Sequence, residues 1–238
     1  MRHELSLSVC VPAFNEEAGL RGAVEDLFLT LSPLVAALEV IIVNDGSTDS
    51  TATLAQELGK EYSPRIKVIH HPVNLGLGAS YKDALSIAQG QYFTWFPGDQ
   101  ENSAQEIAQC LEHLAGDTAV TSYHGEGDRR CWMRRGISRL YTGILNKIFR
   151  LNIKYYNGLT VFPAEVLRAH PLISGGFALS AESLIRAIKS GTKVVELLYP
   201  LKERKGGCSN AISCAAFLGM AKDIIRNLIF AIHRKPPR

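Results

Sequence analysis

The chain has 238 residues, of which 46% are hydrophobic and 21% charged. That composition supports a globular core in one large domain or one domain with a short appendage, and excludes a disordered or low-complexity chain. No run of about 18 apolar residues is present, which excludes a bilayer-spanning helix. The net charge of +3 divides into −11 over residues 1–127 and +14 over residues 128–238. A basic second half suits phosphates or anionic lipid headgroups, although packing of the two halves against each other accounts for the same asymmetry.

In chain order, Leu7–Pro12 and Val40–Val43 read as buried strands, with shorter candidates at Ile66–Ile69, Tyr92–Phe96 and Thr118–Ser122. Helical patterns fall between them at Glu17–Leu31, Ser50–Leu58, Ala79–Ala88 and Ala104–Leu114, with Asn15 and Ser47 standing where caps are expected. This alternation predicts an α/β fold, a mostly parallel sheet with helices on both faces. From Arg134 to Leu151 a basic amphipathic helix is expected, followed by a strand near Leu159–Phe162 and helices at Ala164–Ala169 and Ala181–Ser190. A strand at Lys193–Tyr199, a basic glycine loop at Lys202–Asn210 and an amphipathic helix at Ala211–Ile232 complete the reading. The domain expectation is residues 1–210, with a donor half 1–123 and an acceptor half 124–210, then a helix and tail at 211–238.

The five cysteines are odd in number and form no C-x-x-C pair, which argues against a disulfide framework or structural zinc. Met1-Arg2-His3-Glu4 leads into a strand-like segment without a signal-peptide core, so a reducing, cytoplasmic setting is expected.

In parallel sheets ligands bind beyond the carboxyl ends of the strands. That rule selects Pro12–Glu17, Asn44–Asp49, His70–Gly78 and Pro97–Glu101, all polar or glycine-rich. Asp45, ending a buried strand, suits a base N–H or ribose hydroxyls; an Asx-type turn explains the same string. Gly76-Leu-Gly78 begins a dinucleotide fingerprint, but Tyr81 occupies the third glycine position. The loop suits a diphosphate or ribose instead, while His70 and His71 read as structural. Trp95-Phe-Pro-Gly-Asp99-Gln-Glu101 runs an apolar strand into two carboxylates, oxygen ligands fitted to Mg²⁺ or Mn²⁺.

Val9-Cys-Val-Pro-Ala-Phe-Asn-Glu16, Val40-Ile-Ile-Val-Asn-Asp-Gly-Ser-Thr-Asp49, Asn74-Leu-Gly-Leu-Gly-Ala79 and the Asp99 turn follow one another in order. Together they resemble the family-2 glycosyltransferases of GT-A fold, most closely the dolichyl- and polyprenyl-phosphate sugar synthases. The resemblance implies a nucleotide-sugar donor site of Pro12, Phe14, Asn15, Glu16, Asp45, Gly46, Ser47, Asn74, Gly76, Gly98, Asp99 and Gln100. It also implies Asp99 and Glu101 as metal ligands, although Pro97 stands where the family has the first Asp of D-x-D.

On the acceptor side the branch pairs a basic residue with a serine four positions on, a spacing that Arg134 and Ser138 have, beside Arg135. Arg204-Lys-Gly-Gly-Cys-Ser209 resembles its R-x-x-G-x-S loop, in which Arg204 approaches a lipid phosphate. Lys154-Tyr-Tyr-Asn157-Gly158 matches D-x-x-S/T-G with Lys for Asp, and Asn210 stands where a Lys often follows the serine. A phosphate nucleophile is already anionic and needs guanidinium positioning, whereas a hydroxyl acceptor needs a carboxylate base, for which Glu182 is the candidate. The expectation is an inverting transferase acting on polyprenyl phosphate, peripheral on the cytoplasmic face of a membrane, as a homodimer or with a separate membrane partner. Transfer to a glycan or protein hydroxyl, and a non-catalytic binding module, are the rival readings. No nucleic-acid motif accompanies the basic charge, so no nucleic-acid partner is expected.

Overall fold

The computed structural model describes residues 4–99, 102–123, 132–170, 172–176 and 178–199, apart from the side chains of residues 132–134. Gln100, Glu101, Arg204, Ser209, the side chain of Arg134 and the expected C-terminal helix lie outside the described residues. Among the described residues seven strands form one sheet: β1 (Ser6–Ala13), β2 (Ala37–Asp45), β3 (Ile66–His71), β4 (Tyr92–Trp95), β5 (Thr118–Tyr123), β6 (Thr160–Pro163) and β7 (Lys193–Leu198). Their order across the sheet is β3-β2-β1-β4-β6-β5-β7. β3, β2, β1 and β4 run parallel, as do β5 and β7, while β6 runs against both β4 and β5. The predicted mostly parallel α/β sheet is therefore present, and β6, from the second half of the chain, is inserted between two strands of the first.

Among the described residues seven helices cover it: α1 (Leu20–Leu31), α2 (Thr51–Glu61), α3 (Leu77–Ile87), α4 (Gln105–Leu111), α5 (Trp132–Phe149), α6 (Ala164–Ala169) and α7 (Ala178–Lys189). Alternation along the strands sends Val9, Val11, Val40 and Ile42 to a core shared with α1, α2 and α4. Cys10, Ile41, Val43 and Phe93 face a second core completed by α3, α5, α6 and α7. Each fully buried leucine of these two cores, such as Leu27 in the first or Leu145 in the second, contributes about 1.5–3 kcal/mol of burial free energy.

Several boundaries differ from expectation for local reasons. The N–H groups of Gly19 and Leu20 both donate to Glu16 O, so a turn precedes α1 and the helix starts at Leu20, not Glu17. Asn15 and Ser47 are not caps. Gly19 and Ser50 hold those positions, neither with a side-chain capping bond. The α5 stripe divides: Tyr141, Leu145 and Phe149 are buried, whereas Leu140 and Ile148 turn outward at 61% and 41% exposure. The helix ends where Arg150 adopts a left-handed φ of 55°.

Candidate active site

Because β1 to β4 are parallel, the loops after them emerge at one edge of the sheet. Residues 14–19, 46–50, 72–76 and 96–99 meet there. The first two are laced by side chains. Asn15 N–H donates to Ser47 Oγ at 3.0 Å, and Asn15 Oδ1 accepts from Thr48 N–H at 2.8 Å. Glu16 N–H donates to Thr51 Oγ1 at 2.8 Å, and Glu17 Oε2 accepts from Ser50 N–H at 2.9 Å. Asn15 spends its side chain across loops at a φ of 57°, a conformation Asn tolerates better than most residues.

Backbone proximity completes the clasp. A Cβ on Gly46, whose φ is +72°, would overlap the carbonyl carbon of Val73. One on Gly19 would lie 2.6 Å from Gly98 O and 3.2 Å from Asp99 Cα. The second loop thus rests on the third, and the first on the fourth. Asn74 is exposed, and Phe14 presents its ring at 44% exposure beside these loops.

Asp45 is only 4% exposed. Its Oδ1 accepts from Leu75 N–H at 2.9 Å and its Oδ2 from Gly76 N–H at 2.7 Å. Oδ1 also lies 2.6 Å from His71 Nδ1, and His71 Nε2 lies 3.0 Å from Asp83 Oδ2. His70, on the opposite face of β3, meets Asn44 Nδ2 at 3.2 Å. Both histidines are engaged with neighbouring side chains, in keeping with the structural reading. The Asx reading is also present, since Asn44 Oδ1 accepts from Ser47 N–H at 3.3 Å and Asp49 Oδ1 from Thr51 N–H at 3.0 Å.

Asp99 is exposed at the end of the fourth loop. Burial pushes the nearby Glu16 carboxyl up, and the charges of Asp99 and Asp49 push it further. Negative charge therefore converges where the first and fourth loops meet. Among the described residues no three metal-ligating side chains gather at one point, and Glu101 lies outside them.

On the acceptor side, Ser138 is buried on α5, with Arg135 partly buried one turn before it. Lys154 donates to Tyr123 Oη at 3.1 Å, with its ammonium 4.2 Å from that ring's centre. Asn157 Oδ1 is buried with no hydrogen-bond partner, leaving polar capacity unspent there. Next to it Gly158 abuts the carbonyl of Ser122 too closely for any side chain. Glu182 has no exposure: it accepts from Ile173 N–H at 3.1 Å, Ser174 N–H at 2.7 Å and Arg186 Nε at 2.7 Å. Its carboxylate ties residues 172–176 to α7, and those residues in turn pack on Gly78 at the start of α3.

Residues 8–169 match the family model described as glycosyl transferase family 2. The chain belongs to that family. It is 26% identical over 232 residues to glycosyltransferase AglD of Haloferax volcanii, covering 93% of this chain and 37% of that protein. It is 27% identical over 216 residues to the polyprenol monophosphomannose synthase of Mycolicibacterium smegmatis, covering 84% of this chain and 79% of that one. Its fold is that of the glucosyl-3-phosphoglycerate synthase of Mycobacterium tuberculosis, solved with Mn²⁺, UDP and phosphoglyceric acid. The TM-score is 0.71 at 18% identity, over 98% of this chain and 80% of that one. The GT-A expectation is met. No helix among the described residues is long and apolar enough to cross a membrane.

Proposed function

We propose that this family-2 glycosyltransferase moves a sugar, with inversion, from a UDP- or GDP-sugar to a polyprenyl phosphate at a membrane surface. The observation that carries the donor assignment is the four-loop clasp that brings Asp45 and Asp99 to one sheet edge. Pro12, Phe14, Asn15, Glu16, Gly46, Ser47, Asn74, Gly76 and Gly98 lie in or beside those loops, and Gln100 continues the last in sequence. Asp45 faces the nucleoside; among the described residues Oδ1 is engaged twice and Oδ2 once, so Oδ2 keeps capacity to accept from a ligand donor. Asp99, with Glu101, would hold Mg²⁺ or Mn²⁺, which when bound neutralises charge on the departing diphosphate. The negative potential that Asp99 and Asp49 set up at Glu16 would attract such a cation, and the similar fold solved with Mn²⁺ and UDP supports it.

Two observations favour a phosphate acceptor. Glu182, the candidate base, is committed to three N–H donors inside the protein. Phosphate needs no base, only cationic positioning of the kind Arg134, Arg135 and Arg204 supply, with Ser138, Asn157 and Ser209 as polar contacts. Second, α5 turns Leu140 and Ile148 outward between exposed Arg139, Lys147 and Arg150, a face suited to anionic lipid. The polyprenol-linked activity in the name of one relative supports the same acceptor.

The test supplies radiolabelled UDP- and GDP-sugars with Mn²⁺ and either polyprenyl phosphate or soluble sugar acceptors. Label should pass into the organic phase with polyprenyl phosphate. Transfer to soluble acceptors alone contradicts the acceptor assignment, and no transfer or donor hydrolysis at all leaves a binding module.

A further inference from the structure

We infer that His71 and Asp83 are positioning residues of the donor site, a relay that fixes the Asp45 carboxylate from the surface of α3. The inference rests on the reading that Asp45 meets the nucleoside.

Asp45 and His71 are register partners at the ends of β2 and β3. Both are under 9% exposed, and they meet through Asp45 Oδ1 and His71 Nδ1 at 2.6 Å. The other two bonds to the Asp45 carboxylate come from Leu75 and Gly76. Those belong to a loop whose Val73 and Leu75 side chains are 58% and 54% exposed. A loop with so little apolar burial is a weak anchor, whereas a buried residue paired in the β-ladder is a strong one. His71 therefore sets the plane of the carboxylate, and the carboxylate orders the loop.

The imidazole is itself held. Its Nε2 lies 3.0 Å from Asp83 Oδ2, on a side chain that remains 53% exposed. Asp83 sits in the second turn of α3, behind His71 as seen from Asp45. The chain Asp83–His71–Asp45 thus ends on the carboxylate whose Oδ2, among the described residues, accepts one hydrogen bond, from Gly76 N–H. Loss of a group acting this way weakens ground-state and transition-state binding alike, raising donor KM while leaving kcat in place.

Calorimetric titration of UDP and of GDP with Mn²⁺, alongside donor KM, kcat and Tm, separates the variants. Asp83→Asn should weaken binding of whichever nucleotide the wild type takes by about threefold, with Tm almost unchanged. His71→Ala should weaken it by about tenfold or more, the loss of one charge-assisted hydrogen bond. His71→Asn, whose amide nitrogen can take the place of Nδ1, should recover to within about threefold of wild type, whereas His71→Gln should not. Equal affinity across the three His71 variants, or wild-type affinity in Asp83→Asn, overturns the relay. Asp83 is exposed, so its variant decides the matter even where a His71 variant fails to fold. Asp45→Asn is the control. Lost binding there, with intact binding in the His71 and Asp83 variants, removes the relay alone; intact binding in Asp45→Asn removes the nucleoside reading and the relay with it.

Discussion

At the donor edge, the loops after β1 and β2 are held by side chains that stay half-exposed: Asn15, Glu17 and Ser47 grip backbone across about 30 residues of sequence. On the α7 flank, residues 172–176 are held by one carboxylate, Glu182, with no exposure at all. A grip that remains open to solvent keeps lone pairs and surface for a ligand, whereas a sealed one is spent on the fold. The difference separates residues whose loss should be felt in binding or turnover from those whose loss should be felt in stability.

The largest effect should come from the open edge. Asp99→Ala should lower kcat at least ~100-fold, the scale of removing a group aimed at developing charge, with Tm nearly unchanged. Wild-type metal-dependent turnover in that variant would break the donor assignment. At the sealed grip, Glu182→Ala strands Arg186 and two backbone N–H groups, costing about 3 kcal/mol and roughly 6–12 °C of Tm. An unchanged Tm with lost turnover would erase the contrast and make Glu182 a base.

Asn15→Ala sharpens the comparison from the other side. Removing the Asn15 carboxamide breaks its bond to Thr48 N–H and should raise donor KM about 3–10-fold, with kcat preserved.

The smallest effect concerns Glu106, buried on α4, whose carboxylate accepts from Ser122 Oγ. Burial raises its carboxyl above the ordinary value of 4.5. The folded state therefore holds the proton more tightly, and the associated stability is complete below pH 4.5 and lost as pH rises through the raised value. Glu106→Gln, neutral throughout, should gain on the order of 2 °C at pH 8 and nothing at pH 4, measured by thermal melts.

Much of the donor half was legible in the sequence, because continuous runs such as Val40–Val43 and the polar strings after them obey local rules of strand length and turn chemistry. Asn15 and Ser47 were misassigned as caps because capping grammar weighs neighbours in sequence, and their partners lie 32 or more residues away. The same limit hid the bond between His71 and Asp45: both residues stand out in the sequence, but only the parallel register of β2 and β3 makes them partners. The insertion of β6 between β4 and β5 had no local signal, since a four-residue apolar strand reads the same in either direction. On the acceptor side, Ser138 sits on the expected helix, but buried on it. The division of the α5 stripe depended on which neighbours it packs against, which periodicity alone does not specify.

Everything proposed for the donor side depends on a nucleotide sugar binding within the four-loop clasp through Asp45. Thermal melts with UDP-, GDP- and dTDP-sugars and Mn²⁺, on wild type and Asp45→Asn, test it most directly. One donor class at about a hundredfold over its Kd should raise the wild-type Tm by about 5 °C or more and leave Asp45→Asn unmoved. No shift with any donor, or an equal shift in both proteins, would contradict it.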